Sequence, residues 1–180
     1  MASLVLKMSI SLDGYVEPAH EDPQWIAAGR SPDSGEWLLD TVSSAGAHLI
    51  GAETYRLWAD FWPNQSAPIP AAMNDIPKVV FSNSLTSADW PETTIASGDL
   101  TEAVTRLKQE RSGGYLLAQA GVRFARSLVE TGLIDEYRLV VHPVVLGAGE
   151  RLFTAPLAIE PVSTTAFSGG IVAHVFAARR

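Results

Sequence analysis

The pattern of apolar and polar positions along the chain predicts strands that alternate with helices. Apolar runs over residues 4–10, 47–50, 78–81 and 115–118 have the length of buried strands. Residues 99–111 place Leu100, Ala103, Val104 and Leu107 at helical spacing, behind Asp99 as a capping residue. Residues 36–44, 51–59 and 121–131 are the other predicted helices.

The C-terminal third predicts a different arrangement. A long strand over 136–145 is interrupted by Pro143, and strands over 162–167 and 171–178 flank a Ser-Gly-Gly turn. Residues 17–35 and 61–70 are rich in loop formers, and a long loop of this kind is often a lid or a binding loop. The pattern therefore predicts one α/β domain over 1–180, with a largely parallel sheet and an antiparallel C-terminal hairpin.

Composition narrows the class of protein. The chain has 180 residues, of which 47% are hydrophobic and 18% charged, as in an ordinary globular domain. It has no cysteine, which excludes disulfides and cysteine-based metal sites, and its four histidines show no metal-ligand spacing. The net charge of -7 without a basic run argues against nucleic acid. We see no signal peptide or membrane span, so the expected location is the cytoplasm.

Two strand–glycine–helix junctions are candidate anion sites. Gly51 and Gly121 each lie between a predicted strand and a helix, where free backbone N–H groups can bind a phosphate. Side by side, the two junctions could hold a pyrophosphate, with Ser82 and Asn83 beside a ribose. Neither junction is a complete nucleotide-binding motif, and both glycines could serve only tight turns.

Single side chains are less specific indications of a functional site than the two junctions. Asp13 either forms hydrogen bonds to the backbone of its own turn or orients a reacting group. Glu36 either complements the helix dipole at the start of a helix or donates a proton. Trp25 and Trp58 lie in or beside loops, where aromatic rings can form the wall of a site for a flat ligand.

Several segments together resemble a known family. They are "MSISLDGYV", "LIGAETY", "IPKVVFSNSLT" and, most specifically, "LLAQAGVRFARSLVETGLIDEYRLVVHPVVLGAGERLF". With them the chain resembles the dihydrofolate reductase-like family over nearly its whole length, and within it the small bacterial proteins related to the reductase domain of riboflavin biosynthesis (the RibD C-terminal domain).

The resemblance implies a sheet of about eight strands, and a nicotinamide cofactor, NADPH with NADH as the alternative, across the strand ends. It implies hydride transfer to a C=N or C=O group of a small heterocycle, either dihydrofolate-like or, as in 5-amino-6-(5-phosphoribosylamino)uracil reductase, a ribosylaminopyrimidine. Asp13 and Glu36 are the catalytic candidates, Trp25 and Trp58 the substrate candidates, and no metal is predicted. The cofactor-binding candidates are Met8, Ser9, Val16, Gly51, Ala52, Glu53, Thr54, Ser82, Asn83, Gln119, Ala120, Gly121, Val122 and Arg123.

The chain also departs from the family pattern. Relatives usually have basic residues where this chain has Ala52 and Glu53, and a second glycine where it has Ala120. These differences leave NADPH and NADH open, and they keep a non-catalytic nucleotide-binding or self-associating module as the alternative. Because relatives are often homodimers, we expect a homodimer formed through the C-terminal strands.

Overall fold

The computed structural model describes residues 1–19, 23–119 and 121–179, and its main feature is an eight-stranded sheet. The strand order is β5-β4-β3-β6-β1-β7-β10-β9. The first six strands in this order are parallel, whereas β10 runs antiparallel to β7 and β9 antiparallel to β10. The predicted fold class, a mixed and mostly parallel sheet with an antiparallel C-terminal hairpin, is confirmed.

The strands of this sheet are β1 Leu4–Ser11, β3 Ala45–Gly51, β4 Lys78–Phe81, β5 Thr93–Ala96, β6 Tyr115–Gln119, β7 Glu136–His142, β9 Ile159–Ala166 and β10 Val172–Ala178. A second, two-stranded sheet pairs β2 Glu17–Pro18 with β8 Gly149–Glu150. The helices are α1 Pro32–Ser43, α2 Ala52–Phe61, α3 Pro68–Asp75, α4 Leu100–Glu110 and α5 Val122–Thr131, with short 3₁₀ turns at Pro23–Ala27 and Trp62–Asn64. No helix within the described residues is long and apolar enough to span a membrane.

Two helices correct the sequence prediction. The first begins at Pro32 rather than at Glu36, because Ser31 has extended backbone and donates a 3.0 Å hydrogen bond from its N–H to Ser34 Oγ. Proline is well suited to the first helical position, which needs no N–H donor. The helix Pro68–Asp75 was missed altogether, since two prolines in its first turn make the sequence look like a loop.

Helices cover both faces of the sheet, and the alternation of side chains separates two environments. Leu4, Leu6 and Met8 of β1 lie in the core beneath α4 and α5. Val5 lies on the opposite face, packed in a cluster that includes Val42 of α1. Because successive strand residues point to opposite faces, Lys7, Ser9 and Ser11 share the α1 side with Val5. The polar half of β1 therefore points towards α1, at the carboxyl edge of the sheet.

Candidate functional site

The starts of α2 and α5 lie side by side at the carboxyl edge of the sheet. Gly121 has a left-handed φ of +75°, and a β-carbon built on it would come within 2.5 Å of Thr54 Oγ1. A β-carbon on Gly51 would meet the β-carbon of Phe124 at 3.0 Å. These close approaches bring two helix starts together with little side-chain bulk between them. The residues present fit a pyrophosphate, which needs backbone N–H donors and room for its oxygens; we call this arrangement the cradle.

An ion pair connects the two halves of the cradle. Arg123 Nη1 lies 2.9 Å from Glu53 Oε1, and the two side chains are 82% and 70% exposed. Ala52 and Val122 are the first residues of α2 and α5. Ala120, a further predicted member, lies outside the described residues.

The end of β4 continues the cradle on one side. Ser82 Oγ accepts hydrogen bonds from the backbone N–H groups of Ser84 and Leu85, and Asn83 Oδ1 accepts one from Gly98. Phe81 and Phe124 place their rings 5.2 Å apart, and Phe124 also covers Gly51. This aromatic pair was missed by the sequence analysis, although its members end β4 and follow Gly121 by three positions.

A group of cations lies on the α1 side of the same edge. Lys7 is half-buried, and burial, followed by the charge of Arg30, lowers the pKa of Lys7 to about 8. The charges of Lys7 and Arg30 also contribute to lowering the pKa of His142, after the larger effect of its burial. Lys7 and Arg30 form the cationic cluster, with the imidazole of His142 beside them; the three residues come from β1, the loop before α1 and β7. The sequence showed no such cluster because its members are far apart along the chain.

The register of β1 links this cationic cluster to the cradle. Lys7 pairs with Gln119 of β6 on one side and with Arg138 of β7 on the other. Gln119 is buried, and its Nε2 lies 3.4 Å from Met73 Sδ, a weak acceptor. Since β6 leads directly into the cradle at Gly121, Lys7 lies one strand away from it.

His142 also holds the loop before α1 against the sheet. Its Nδ1 lies 3.2 Å from the carbonyl oxygen of Ala28, and the ring of Trp25 meets the imidazole edge-on at 5.4 Å. Asp33 strengthens this attachment by accepting two 2.9 Å hydrogen bonds from Ser168, in the turn between β9 and β10. The part of the predicted binding loop that leads into α1 is therefore fixed to the sheet, with the predicted substrate residue Trp25 buried beside His142.

Asp13 makes well-defined contacts at this edge. Its carboxylate accepts hydrogen bonds from Ser11 Oγ at 2.7 Å, from the N–H of Leu146 at 3.1 Å and from the N–H of Gly147 at 2.7 Å. The bond from Ser11 contributes most to lowering the Asp13 pKa, to about 2. A carboxylate held in this way orients the loop after β7 and is a poor proton donor at neutral pH.

Other predicted residues lie in less direct positions. Glu36 is exposed on α1, in the second turn of the helix rather than at its start. Met8 and Val16 are buried in the core on the α5 side, so their backbone rather than their side chains could meet a ligand, whereas Ser9 is half-buried on the α1 side. Trp58 lies apart from Trp25 and packs against Trp62 at 6.0 Å.

A separate cavity of about 450 Å³ lies at the opposite edge, where β1, β6 and β7 begin. The cations at its wall are Arg111 and Arg138, and Arg138 Nε already donates to Glu136 at 2.6 Å. It contains neither the cradle nor the cationic cluster, so the carboxyl edge is the better candidate for chemistry.

Comparison with known proteins agrees with this geometry. The family described as the RibD C-terminal domain matches residues 2–173 of the chain. The chain belongs to this family. A solved putative riboflavin biosynthesis protein from Shewanella sp. PV-4 is similar over 100% of both chains, with 21% identity and a TM-score of 0.79.

Two further solved structures connect the RibD C-terminal domain to reductases. A Thermotoga maritima diaminohydroxyphosphoribosylaminopyrimidine deaminase/5-amino-6-(5-phosphoribosylamino)uracil reductase has 16% identity and a TM-score of 0.71, over 99% of this chain and 57% of that one. Dihydrofolate reductase from Enterococcus faecalis, complexed with NADP(H), has 10% identity and a TM-score of 0.65, over 99% and 97%. The fold is dihydrofolate reductase-like, and family membership supports a reductase-type function.

Proposed function

We propose that this RibD C-terminal domain protein is an NAD(P)H-dependent reductase that transfers a hydride to a C=N or C=O group of a small heterocycle. The observation that carries the proposal is the register pair Lys7–Gln119, which puts a half-buried cation beside the strand that ends at the cradle. Cofactor and proton source would thus meet at one edge of the sheet, as a two-substrate reduction requires.

The cofactor side of the site would be formed by the cradle. Gly51, Thr54, Gly121 and Val122 would hold the pyrophosphate, and the bound nicotinamide would supply the hydride. The tight Gly121–Thr54 approach supports this assignment, because it brings the starts of α2 and α5 together with no side chain of residue 121 between them. The cofactor-complexed dihydrofolate reductase from E. faecalis supports NADPH as one candidate dinucleotide.

Lys7 would complete the reduction on the substrate side. With a pKa of about 8, its ammonium group is mostly protonated at neutral pH and can still release a proton. Hydride reaches the carbon of the C=N or C=O bond, and the proton from Lys7 reaches the nitrogen or oxygen, so that two electrons and two hydrogens are added. The lysine then regains its proton from water.

The cationic cluster favours a substrate with an anionic group. The charge of Arg30 helps to lower the pKa of Lys7, and both charges help to lower that of His142; among the described residues no carboxylate contributes to either pKa. The substrate named for the T. maritima enzyme is a phosphoribosylaminouracil, and its phosphate would suit such a cluster. A ribosylaminopyrimidine phosphate is therefore our preferred substrate class, ahead of a dihydrofolate-like one.

The Glu53–Arg123 pair favours the second candidate, a nucleotide-binding module without turnover, because it puts a carboxylate in the first turn of α2, where phosphate would bind. To separate the two, NADPH and NADH would each be titrated against the protein with Trp fluorescence as the readout. Oxidation at 340 nm would then be followed with ribosylaminopyrimidine and dihydropterin substrates. Oxidation that requires a substrate supports the reductase. Binding without oxidation supports the module, and no binding of either nucleotide contradicts both.

A further inference from the structure

The Glu53–Arg123 pair occupies a position where it can act on a bound dinucleotide. Glu53 is the second residue of α2 and Arg123 the second residue of α5, so the 2.9 Å contact joins the two helix starts of the cradle. Both side chains are largely exposed, which leaves them free to rearrange when a ligand arrives. Each residue lies in the first turn of its helix, where backbone N–H groups have no partner within the helix.

The charge balance of the cradle is unusual for a site that selects a highly phosphorylated ligand. In the first turns of the two helices, Glu53 provides one negative charge and Arg123 one positive charge. Since Arg123 is already paired, its charge is offset before any ligand binds. The helix starts therefore supply the attraction for a pyrophosphate, with no additional net charge from these side chains.

We propose that the Glu53–Arg123 pair sets the choice between the two nicotinamide dinucleotides and removes the preference for NADPH. The inference rests on the proposed function, in which the nicotinamide lies towards β1. With the nicotinamide there, the adenosine half would point towards β3 and β4, which lie on the other side of β6 from β1, and Glu53 is at the start of the helix that follows β3. The 2′-phosphate of NADPH would lie one ribose from the pyrophosphate, within the range of the Glu53 charge.

Electrostatics gives the expected size of the effect. A 2′-phosphate carries between one and two negative charges at neutral pH. Its repulsion from a carboxylate at a hydrated surface weakens binding by roughly five- to tenfold. NADH lacks this phosphate and meets only the pyrophosphate part of the cradle, so the native chain binds NADH at least as tightly as NADPH.

Equilibrium binding can test this without turnover. The probes are ADP-ribose and 2′-phospho-ADP-ribose, together with NAD⁺ and NADP⁺, measured by titration calorimetry on the full chain. The variants are Glu53→Gln, Arg123→Gln and the double variant. Glu110→Gln is the matched control, because Glu110 also forms an exposed pair with an arginine, Arg106, at 3.9 Å on α4.

Glu53→Gln should strengthen binding of the 2′-phosphorylated probes by about five- to tenfold relative to the others, since it removes the repulsion and releases Arg123. The double variant should lose part of this gain. Glu110→Gln should leave unchanged the ratio of the affinity for the 2′-phosphorylated probes to the affinity for the other two. An unchanged ratio in Glu53→Gln, or an equal change in Glu110→Gln, overturns the inference while leaving the proposed function intact. Absence of binding for every probe and variant overturns both.

Discussion

Gly121 and Thr54 lie so close that a β-carbon on Gly121 would come within 2.5 Å of the Thr54 hydroxyl oxygen. Thr54 is buried on α2, while Gly121 ends the connection from β6 in a left-handed conformation. The contact holds the starts of α2 and α5 at a fixed separation, and it requires glycine at position 121 because the Thr54 hydroxyl occupies the place of a side chain.

Gly121→Ala should therefore weaken dinucleotide binding at least tenfold. The new methyl group must displace Thr54, and alanine in the left-handed region also costs about 1–2 kcal/mol. Calorimetric titration with NADPH and NADH measures the loss. Gly132→Ala is the matched control, because Gly132 has a similar φ of +67° but no atom within 4 Å of the added carbon. Equal losses in the two variants would show that strain, rather than the cradle, is responsible.

Lys7→Met should stabilise the protein while removing its reductase activity. Burial lowers the Lys7 pKa to about 8, below its ordinary 10.5, so the folded state disfavours the charged form. This destabilisation is fully present below pH 8 and disappears as pH rises from 8 to 10.5. The gain at pH 7 should be about 1–3 kcal/mol by denaturant unfolding, with turnover reduced at least a hundredfold.

Lys78→Met is the contrasting variant for that experiment. The pKa of Lys78 is likewise lowered to about 8, chiefly by burial, but its Nζ donates to the carbonyl oxygens of Asn74 at 2.6 Å and Met73 at 3.3 Å. Losing those bonds leaves two carbonyl groups unpaired at the end of α3, so Lys78→Met should destabilise the protein. If Lys7→Met lowers the free energy of unfolding as Lys78→Met does, the predicted stabilisation by loss of the buried Lys7 charge is contradicted.

The pH dependence of the reaction offers an independent check on Lys7. As the proton donor it must be protonated, so the logarithm of kcat/KM should fall with unit slope as pH rises above about 8. The measurement is a pH–rate profile with saturating cofactor. A flat profile from pH 7 to 10 would exclude Lys7 as the source of the proton.

His48 should make the fold sensitive to acid. It is fully buried, both ring nitrogens lack a hydrogen-bond partner among the described residues, and burial followed by the charge of Lys78 lowers its pKa to about 4. The unfolded chain binds a proton near pH 6.5 that the folded chain does not bind until about 4. Stability is therefore lost as pH falls through this interval, by ~3 kcal/mol.

His48→Leu should remove most of this acid-dependent loss and raise the melting temperature at pH 5 more than at pH 7. The measurement is thermal unfolding at the two pH values. His174→Leu is the comparison, since His174 lies on β10, and its Nδ1 is 3.0 Å from Thr164 Oγ1. A pH dependence in His48→Leu equal to that of the wild type would contradict the prediction.

The C-terminal strands are the predicted dimer surface. Seven of the eight residues of β9 are exposed, and Val162 is 61% exposed on this edge strand. Pro161 hinders continuous pairing of the edge with another strand, so we expect contact through the sheet face instead. Light scattering at micromolar concentration should give a dimer mass, and Val162→Lys should reduce it to that of the monomer. A wild-type monomer under these conditions would contradict the prediction.

The helix ends that were predicted correctly depend on residues close together in the sequence. Asp99 caps α4 by accepting a 2.9 Å hydrogen bond from the N–H of Glu102, and Gly132 ends α5 in the left-handed conformation, both as their residue types predict. The helix Pro68–Asp75 was missed because its stability comes from packing Pro70 and Met73 into the core, which outweighs a proline-rich start.

The site was harder to predict than the fold because its members meet only in three dimensions. Gly51 and Gly121 could be matched from their strand–glycine–helix context, and the structure brings them together. Lys7, by contrast, is a single polar residue in an apolar strand. Its neighbours Arg30 and His142 come from other elements: pairing of β1 with β7 brings His142 near, and the loop that Ala28 holds to His142 brings Arg30 near. No pattern of local spacing contains that information.

The position of β1 has a consequence for how the chain acquires this structure during synthesis. β1 pairs only with β6 and β7, whereas β3, β4 and β5 pair with one another. A ribosome that has released only the chain up to α4 therefore presents the first strand without either neighbour. Such long-range pairing is slow, and exposed apolar strands favour aggregation in the interval. The first strand to emerge would thus be among the last to be enclosed, and Lys7 would lack its two strand partners until Gln119 and Arg138 had left the ribosome.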